Sequence, residues 1–140
     1  MRYPKKGPSV ATYPIPCFDN SSIVNPRLDM YSSIFICEGA INALTMGDRA
    51  IATMGKAISA YQVNQLIKSP VNRFILLLDF DARDYAINLA LKLVAYKKVK
   101  VILFKDNRDV NDLGKKAVLK MIYKTRYQSY QDLIKLRNEK

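Results

Sequence analysis

Phe74-Ile75-Leu76-Leu77-Leu78-Asp79-Phe80-Asp81 runs five consecutive apolar residues straight into two carboxylates. An unbroken apolar run of this length, without alternation, is the pattern of a strand covered on both faces, as in a parallel sheet between helix layers. In such sheets ligands bind at the carboxyl ends of the strands. Asp79 and Asp81 therefore stand where a parallel sheet does its chemistry, and Asp79, directly behind the apolar run, is expected to be partly buried.

Working outward, Ile34-Phe35-Ile36-Cys37 is a second short apolar strand, ending at Glu38-Gly39. A helix over 40–46 follows, stopped by Gly47, and then a strand over 50–54 closed by Gly55. Ser59 is placed to cap a helix through 68, which Pro70 ends. Beyond the central strand, Ala86, Leu89, Ala90, Leu93 and Val94 give an amphipathic helix over 82–96. A fourth strand is expected over 100–104, a polar loop over 105–111, and helical stretches over 113–123 and 127–136. Strands alternating with helices at this spacing predict an α/β fold, with about four parallel strands flanked by helices and right-handed crossovers.

Residues 1–33 differ in character, holding five of the six prolines. Such a segment is neither a regular helix nor a central strand and reads as an extended arm, with a short edge strand near 11–15. The expected organisation is an arm over 1–33, an α/β core over 34–113 and a C-terminal helical extension over 114–140.

The chain has 140 residues, 49% of them hydrophobic, which suits a single core. Its net charge of +11 points to a polyanionic partner, nucleic acid or an anionic surface. No apolar run approaches the roughly 18 residues of a membrane span, and the N-terminus has no secretory apolar region. The expected setting is a reducing cytoplasm. There is no histidine, and the two cysteines, Cys17 and Cys37, cannot make a four-ligand zinc site. Ser-His-Asp and Cys-His catalysis are excluded, so any chemistry runs on carboxylates, lysines or a metal.

With the strands placed, the acids converge. Glu38 ends the first strand, Asp79 and Asp81 end the third, and Asp109 lies in the loop after the fourth. Like charges gathered at one sheet edge repel unless a cation sits among them, and hard oxygen ligands suit Mg²⁺ or Mn²⁺. Each acid also has a purely structural reading. Asp81 is placed to cap a helix beginning at Ala82, with Asp84 in its first turn. Glu38-Gly39 reads equally as a strand-to-helix turn, and Asp109 as an ordinary loop acid. Order and spacing together favour the site.

These strings resemble a known family. Ile34 to Leu44, with Glu38-Gly39 and Ala43-Leu44, is similar to the first TOPRIM motif, a hydrophobic strand followed by E-G-x-x-D-A-L. Leu76-Leu77-Leu78-Asp79-Phe80-Asp81 resembles the second, a strand followed by D-x-D. Asp109-Val110-Asn111-Asp112-Leu113 is similar to the D-x-N-D segment of phage and plasmid primases of the DnaG-like type, which also carry a glycine where Gly55 stands. The resemblance implies a TOPRIM, Rossmann-like fold with Glu38, Asp79 and Asp81 as catalytic metal ligands and Asp109 as an added ligand. Asn42, which stands where the family has aspartate, and Asn111 are possible further ligands. Asp84 stands where the family often has glycine.

The activity implied is metal-dependent nucleotidyl transfer, making RNA primers from nucleoside triphosphates on a single-stranded DNA template, in a bacterial host if phage-encoded. A replicative helicase is an implied partner. Neither a zinc-binding module nor a polymerase lobe lies within these residues, so the chain reads as part of such an enzyme. The alternatives are a stand-alone TOPRIM nuclease and a catalytically silent nucleic-acid or protein-binding module.

Lysines are dense between Lys92 and Lys124, most of them read as solvated charge. Lys56, Arg83, Lys105 and Arg108 are candidate nucleic-acid or nucleotide contacts by their loop positions. Tyr123, Tyr127 and Tyr130 are expected to pack the C-terminal helices onto the sheet, with base stacking as the lesser reading.

Overall fold

The structure, a computed structural model, describes residues 33–53 and 58–139. Four strands form one sheet: β1 (Ser33–Cys37), β2 (Ala50–Ala52), β3 (Arg73–Leu77) and β4 (Lys98–Val101). Their order is β2-β1-β3-β4, and every pairing is parallel. Between and after them come α1 (Ala40–Met46), α2 (Ala60–Lys68), a 3₁₀ turn (Phe80–Ala82), α3 (Arg83–Leu93), α4 (Val110–Leu113), α5 (Lys115–Lys124) and α6 (Tyr130–Asn138). The expected four-stranded parallel α/β sheet is the one found. The proline-rich arm, with its suggested strand near 11–15, lies outside the described residues, as do Gly55 and Lys56.

The unbroken apolar strands are explained by two cores. Ile34, Ile36, Phe74 and Leu76 face a layer that includes Val63, Leu66, Leu89 and Leu93. Phe35, Cys37, Ile75 and Leu77 alternate to the other face and meet Ala43, Met46, Val118 and Ile122. Each fully buried side chain of this size contributes about 1.5–3 kcal/mol relative to exposure. Leu133 of α6 joins the first core and Val118 and Ile122 of α5 the second, so these two helices pack onto opposite faces of the sheet.

Element ends differ from expectation for physical reasons. β4 begins at Lys98, not 100, because Arg73 and Phe74 pair with Lys98 and Val99; its exposed–buried alternation marks an edge strand. The Gln128 N–H donates to Val99 O at 3.0 Å, and Gln128 Oε1 accepts the Val101 N–H at 2.8 Å, so one residue covers that edge. The helix expected over 113–123 is α5, starting at 115 after Gly114 at φ 86°, a conformation that favours glycine, and the end of the loop expected over 105–111 is instead the one-turn helix α4. α6 starts at 130, not 127, because Ser129 and Asp132 close a capping box there. Ser59 and Gln62 do the same for α2, as expected of Ser59. No helix among the described residues is long and apolar enough to cross a membrane.

Candidate metal centre

Parallel pairing of β1 with β3 places Cys37 beside Leu77 at the end of the register. The next residues on each strand leave the sheet at the same edge, which sets Glu38 close to Asp79. The chain then tightens into the 3₁₀ turn, closed by the Ala82 N–H donating to Asp79 O at 2.9 Å. That turn brings Asp81 back toward the edge. One carboxylate oxygen from each of Glu38, Asp79 and Asp81 lies within 4.8 Å of the others.

Asp81 does not act as the helix cap that its position suggested. It sits inside the 3₁₀ turn, α3 is preceded by Ala82, and no side-chain capping bond forms. The carboxylate is exposed instead.

The electrostatics are those of an unneutralised acid cluster. Asp79 is pushed up to about 6, first by burial and then by the negative charges of Glu38, Asp109, Asp81 and Asp112. Burial, with a smaller contribution from Asp79, also pushes up the Cys37 thiol, which is therefore inert core. Glu38 Oε1 is buried without a hydrogen-bond partner among the described residues. A buried carboxylate oxygen left unsatisfied is costly unless a cation takes it up. Three carboxylates at this spacing, one of them with an orphaned buried oxygen, fit a hard divalent cation.

Asn42 and the third acidic segment complete the edge. Asn42 is buried on α1, donates Nδ2 to Asp79 Oδ1 at 3.4 Å, and accepts the Asn111 N–H on its amide oxygen at 3.0 Å. That oxygen, the atom expected to be free for a metal, is thus directed at α4. Asn111 Oδ1 accepts from Thr45 Oγ1 at 3.2 Å. Asp109 caps α4: its Oδ1 accepts the Asp112 N–H at 2.8 Å, and Asp112 Oδ2 accepts the Asp109 N–H at 3.0 Å. Asp109 lies outside the close triad but helps line the same cleft of about 470 Å³, with Glu38, Asn42, Asp79 and Asn111. Thr45 and the Asp109–Asp112 box were not anticipated; the D-x-x-D spacing was the available signal for the box.

The basic candidates scatter. Arg83 Nη2 donates to Leu136 O at 2.9 Å, tying α3 to α6. Arg108 forks onto the Asp106 carboxylate at 3.0–3.2 Å. Lys105 is exposed. Lys98 and Lys100 lie over the Tyr127 ring at 5.9 and 4.6 Å from its centroid. Tyr123 and Tyr130 depart from their expected packing role, being 89% and 59% exposed.

No protein-family model matches the chain, and no curated protein matches it in sequence at a significant level. Solved structures do match in fold. A DNA primase domain from Pseudomonas aeruginosa aligns over 69% of this chain and 34% of its own, at TM-score 0.58 and 21% identity. A DnaG primase catalytic domain bound to single-stranded DNA aligns over 76% and 38%, at TM-score 0.59 and 18% identity. The RNA polymerase domain of Mycobacterium tuberculosis primase DnaG aligns over 80% and 40%, at TM-score 0.59 and 18% identity. The chain therefore spans between a third and two-fifths of the length of these proteins. Its α/β sheet shares the fold of a segment of DnaG primase catalytic cores.

Proposed function

We propose that this chain is the TOPRIM, metal-binding part of a DnaG-like primase of the phage or plasmid type, acting in nucleotidyl transfer on a single-stranded DNA template. The observation that carries the reading is the triad of Glu38, Asp79 and Asp81, with Glu38 Oε1 buried and unpartnered, at the carboxyl edge of a sheet shared with primase cores. In this reading Glu38, Asp79 and Asp81 hold Mg²⁺ or Mn²⁺, and Asp109 contributes further negative charge from the neighbouring loop. A bound divalent ion supplies charge neutralisation at the triphosphate and favours ionisation of the attacking 3′-hydroxyl. The residues of this chain do the positioning: Asn42 fixes Asp79 against α1, and the Asp109–Asp112 box fixes the loop facing it.

The test is ribonucleotide incorporation on a single-stranded template with Mn²⁺, by the chain within the enzyme that carries it. Asp79→Ala is expected to abolish incorporation. Full incorporation by that variant would refute the assignment. Cleavage of labelled RNA or DNA with Mn²⁺ and no nucleoside triphosphate would move the site to nuclease chemistry.

A further inference from the structure

α5 presents two faces of opposite character. Val118 and Ile122 are buried in the core. Outward, Lys116, Lys120 and Lys124 form one i, i+4 row, and Lys115, Leu119 and Tyr123 form the next. The helix carries four lysines and no acid. α3 and α6 instead mix signs, with Asp84 beside Arg83 and Lys92, and Asp132 before Lys135 and Arg137. Like charges repeated at i, i+4 destabilise a helix, so solubility alone does not account for this row. Leu119 is 40% exposed and Tyr123 is 89% exposed, bare apolar surface between the cations.

We infer that the outer face of α5 binds single-stranded nucleic acid, with Lys116, Lys120 and Lys124 on successive phosphates and Tyr123 stacked on a base. The lysine row is about 12 Å long, with neighbouring lysines about 6 Å apart, a spacing wider than the stacked rise of a duplex and suited to the phosphates of an extended single strand. An open aromatic ring beside a basic track is the arrangement that holds single strands without reading sequence. An acidic peptide would satisfy the lysines but leave the Tyr123 ring without a flat partner. The helix begins one residue after α4, so the track leads away from the Asp109–Asp112 loop. The choice of nucleic acid as the polyanion rests on the function proposed above, but the binding does not require a working acid cluster.

The test is anisotropy of a labelled oligothymidylate with the 140-residue chain, in chelator and across a salt series. Tyr123→Ala is expected to weaken binding on the order of tenfold, and Tyr123→Phe to preserve it. Lys116→Ala with Lys120→Ala should flatten the slope of log affinity against log salt by about 1.4. Lys92→Ala with Lys135→Ala, which removes the same charge from other helices, should leave affinity nearly unchanged. Asp79→Asn should bind as tightly as the parent, which separates this surface from the acid site. Three results would overturn the inference: no effect of Tyr123→Ala, equal losses from the control pair, or a poly-glutamate competitor that depends on Tyr123 as strongly as the oligonucleotide does.

Discussion

The Nδ2 of Asn42 lies 3.4 Å from Asp79 Oδ1, joining the buried side of α1 to the acid that ends the central strand. Where an aspartate would add a charge to the cluster, this residue brings a donor. Its other end accepts the Asn111 N–H, so one amide side chain links the three segments that make the site. Asn42 is a positioning residue for the acid beside it.

Replacing that donor should be felt in both stability and metal binding. Asn42→Asp sets another carboxylate against Asp79, so in chelator the variant should melt roughly 3–6 °C lower, a cost of about 1 kcal/mol. Added Mn²⁺ should recover more stability in the variant than in the parent, because the extra charge favours a cation. Thermal melts with and without Mn²⁺ read both effects. Equal metal responses in the two proteins would show that Asn42 does not face the bound ion.

The pH dependence of the metal-free protein has a defined sign. Folding raises Asp79 from the usual 3.8 to about 6, through burial first and neighbouring acids second. Between those values the folded state holds more protons than the unfolded one, so this group lowers stability as pH rises from about 4 to about 6, with no further change above. Asp79 is only partly buried, and screening reduces the effect to the order of 1 kcal/mol. Urea melts in chelator should find Asp79→Asn more stable than the parent at neutral pH, with the difference gone near pH 4. A constant difference across that range would show that ionisation of Asp79 is not its source.

The β4 edge offers a test of the fold. Gln128→Ala removes both side-chain bonds to Val101, the N–H donated to Oε1 at 2.8 Å and the carbonyl accepting from Nε2 at 3.3 Å. The expected loss is about 1–2 kcal/mol, with faster hydrogen exchange at the Val101 amide. Unchanged protection there would mean that Gln128 does not seal the edge.

Core packing gives a larger effect. Leu76 is fully buried on the central strand β3, in register with Ile36 of β1 on one side and Val101 of β4 on the other. Leu76→Ala should cost about 2–5 kcal/mol, seen as a lower urea midpoint at unchanged m-value. A loss under about 1 kcal/mol would place Leu76 outside the tightly packed layer.

How far the sequence could be read depended on the kind of signal. Strands buried on both faces announce themselves by unbroken apolarity, so β1 and β3 were legible, and with them the edge where Glu38 and Asp79 emerge. β4 was legible only in part, because an edge strand alternates and its lysines read as surface. The break at Gly114 was hidden inside a helical pattern, since one positive-φ residue scarcely disturbs periodicity. Order and spacing favoured a site role for Asp81 without separating it from helix capping. Capping and site membership both predict an acid before α3, and only the intervening 3₁₀ turn separates them. Asn42 was visible as a departure from a family pattern, but its two hydrogen bonds depend on contacts 37 and 69 residues away in sequence.

Everything proposed for the acidic edge depends on Glu38, Asp79 and Asp81 holding a divalent cation, and calorimetric titration of Mn²⁺ into the chain measures that binding itself. Saturable binding is expected, lost in Glu38→Gln and Asp79→Asn and retained in Lys105→Ala. The bound ion should also raise thermal stability by about 2.7 kcal/mol at a hundredfold excess over Kd. No heat of binding in the parent, or equal binding in Glu38→Gln, would contradict the metal assignment.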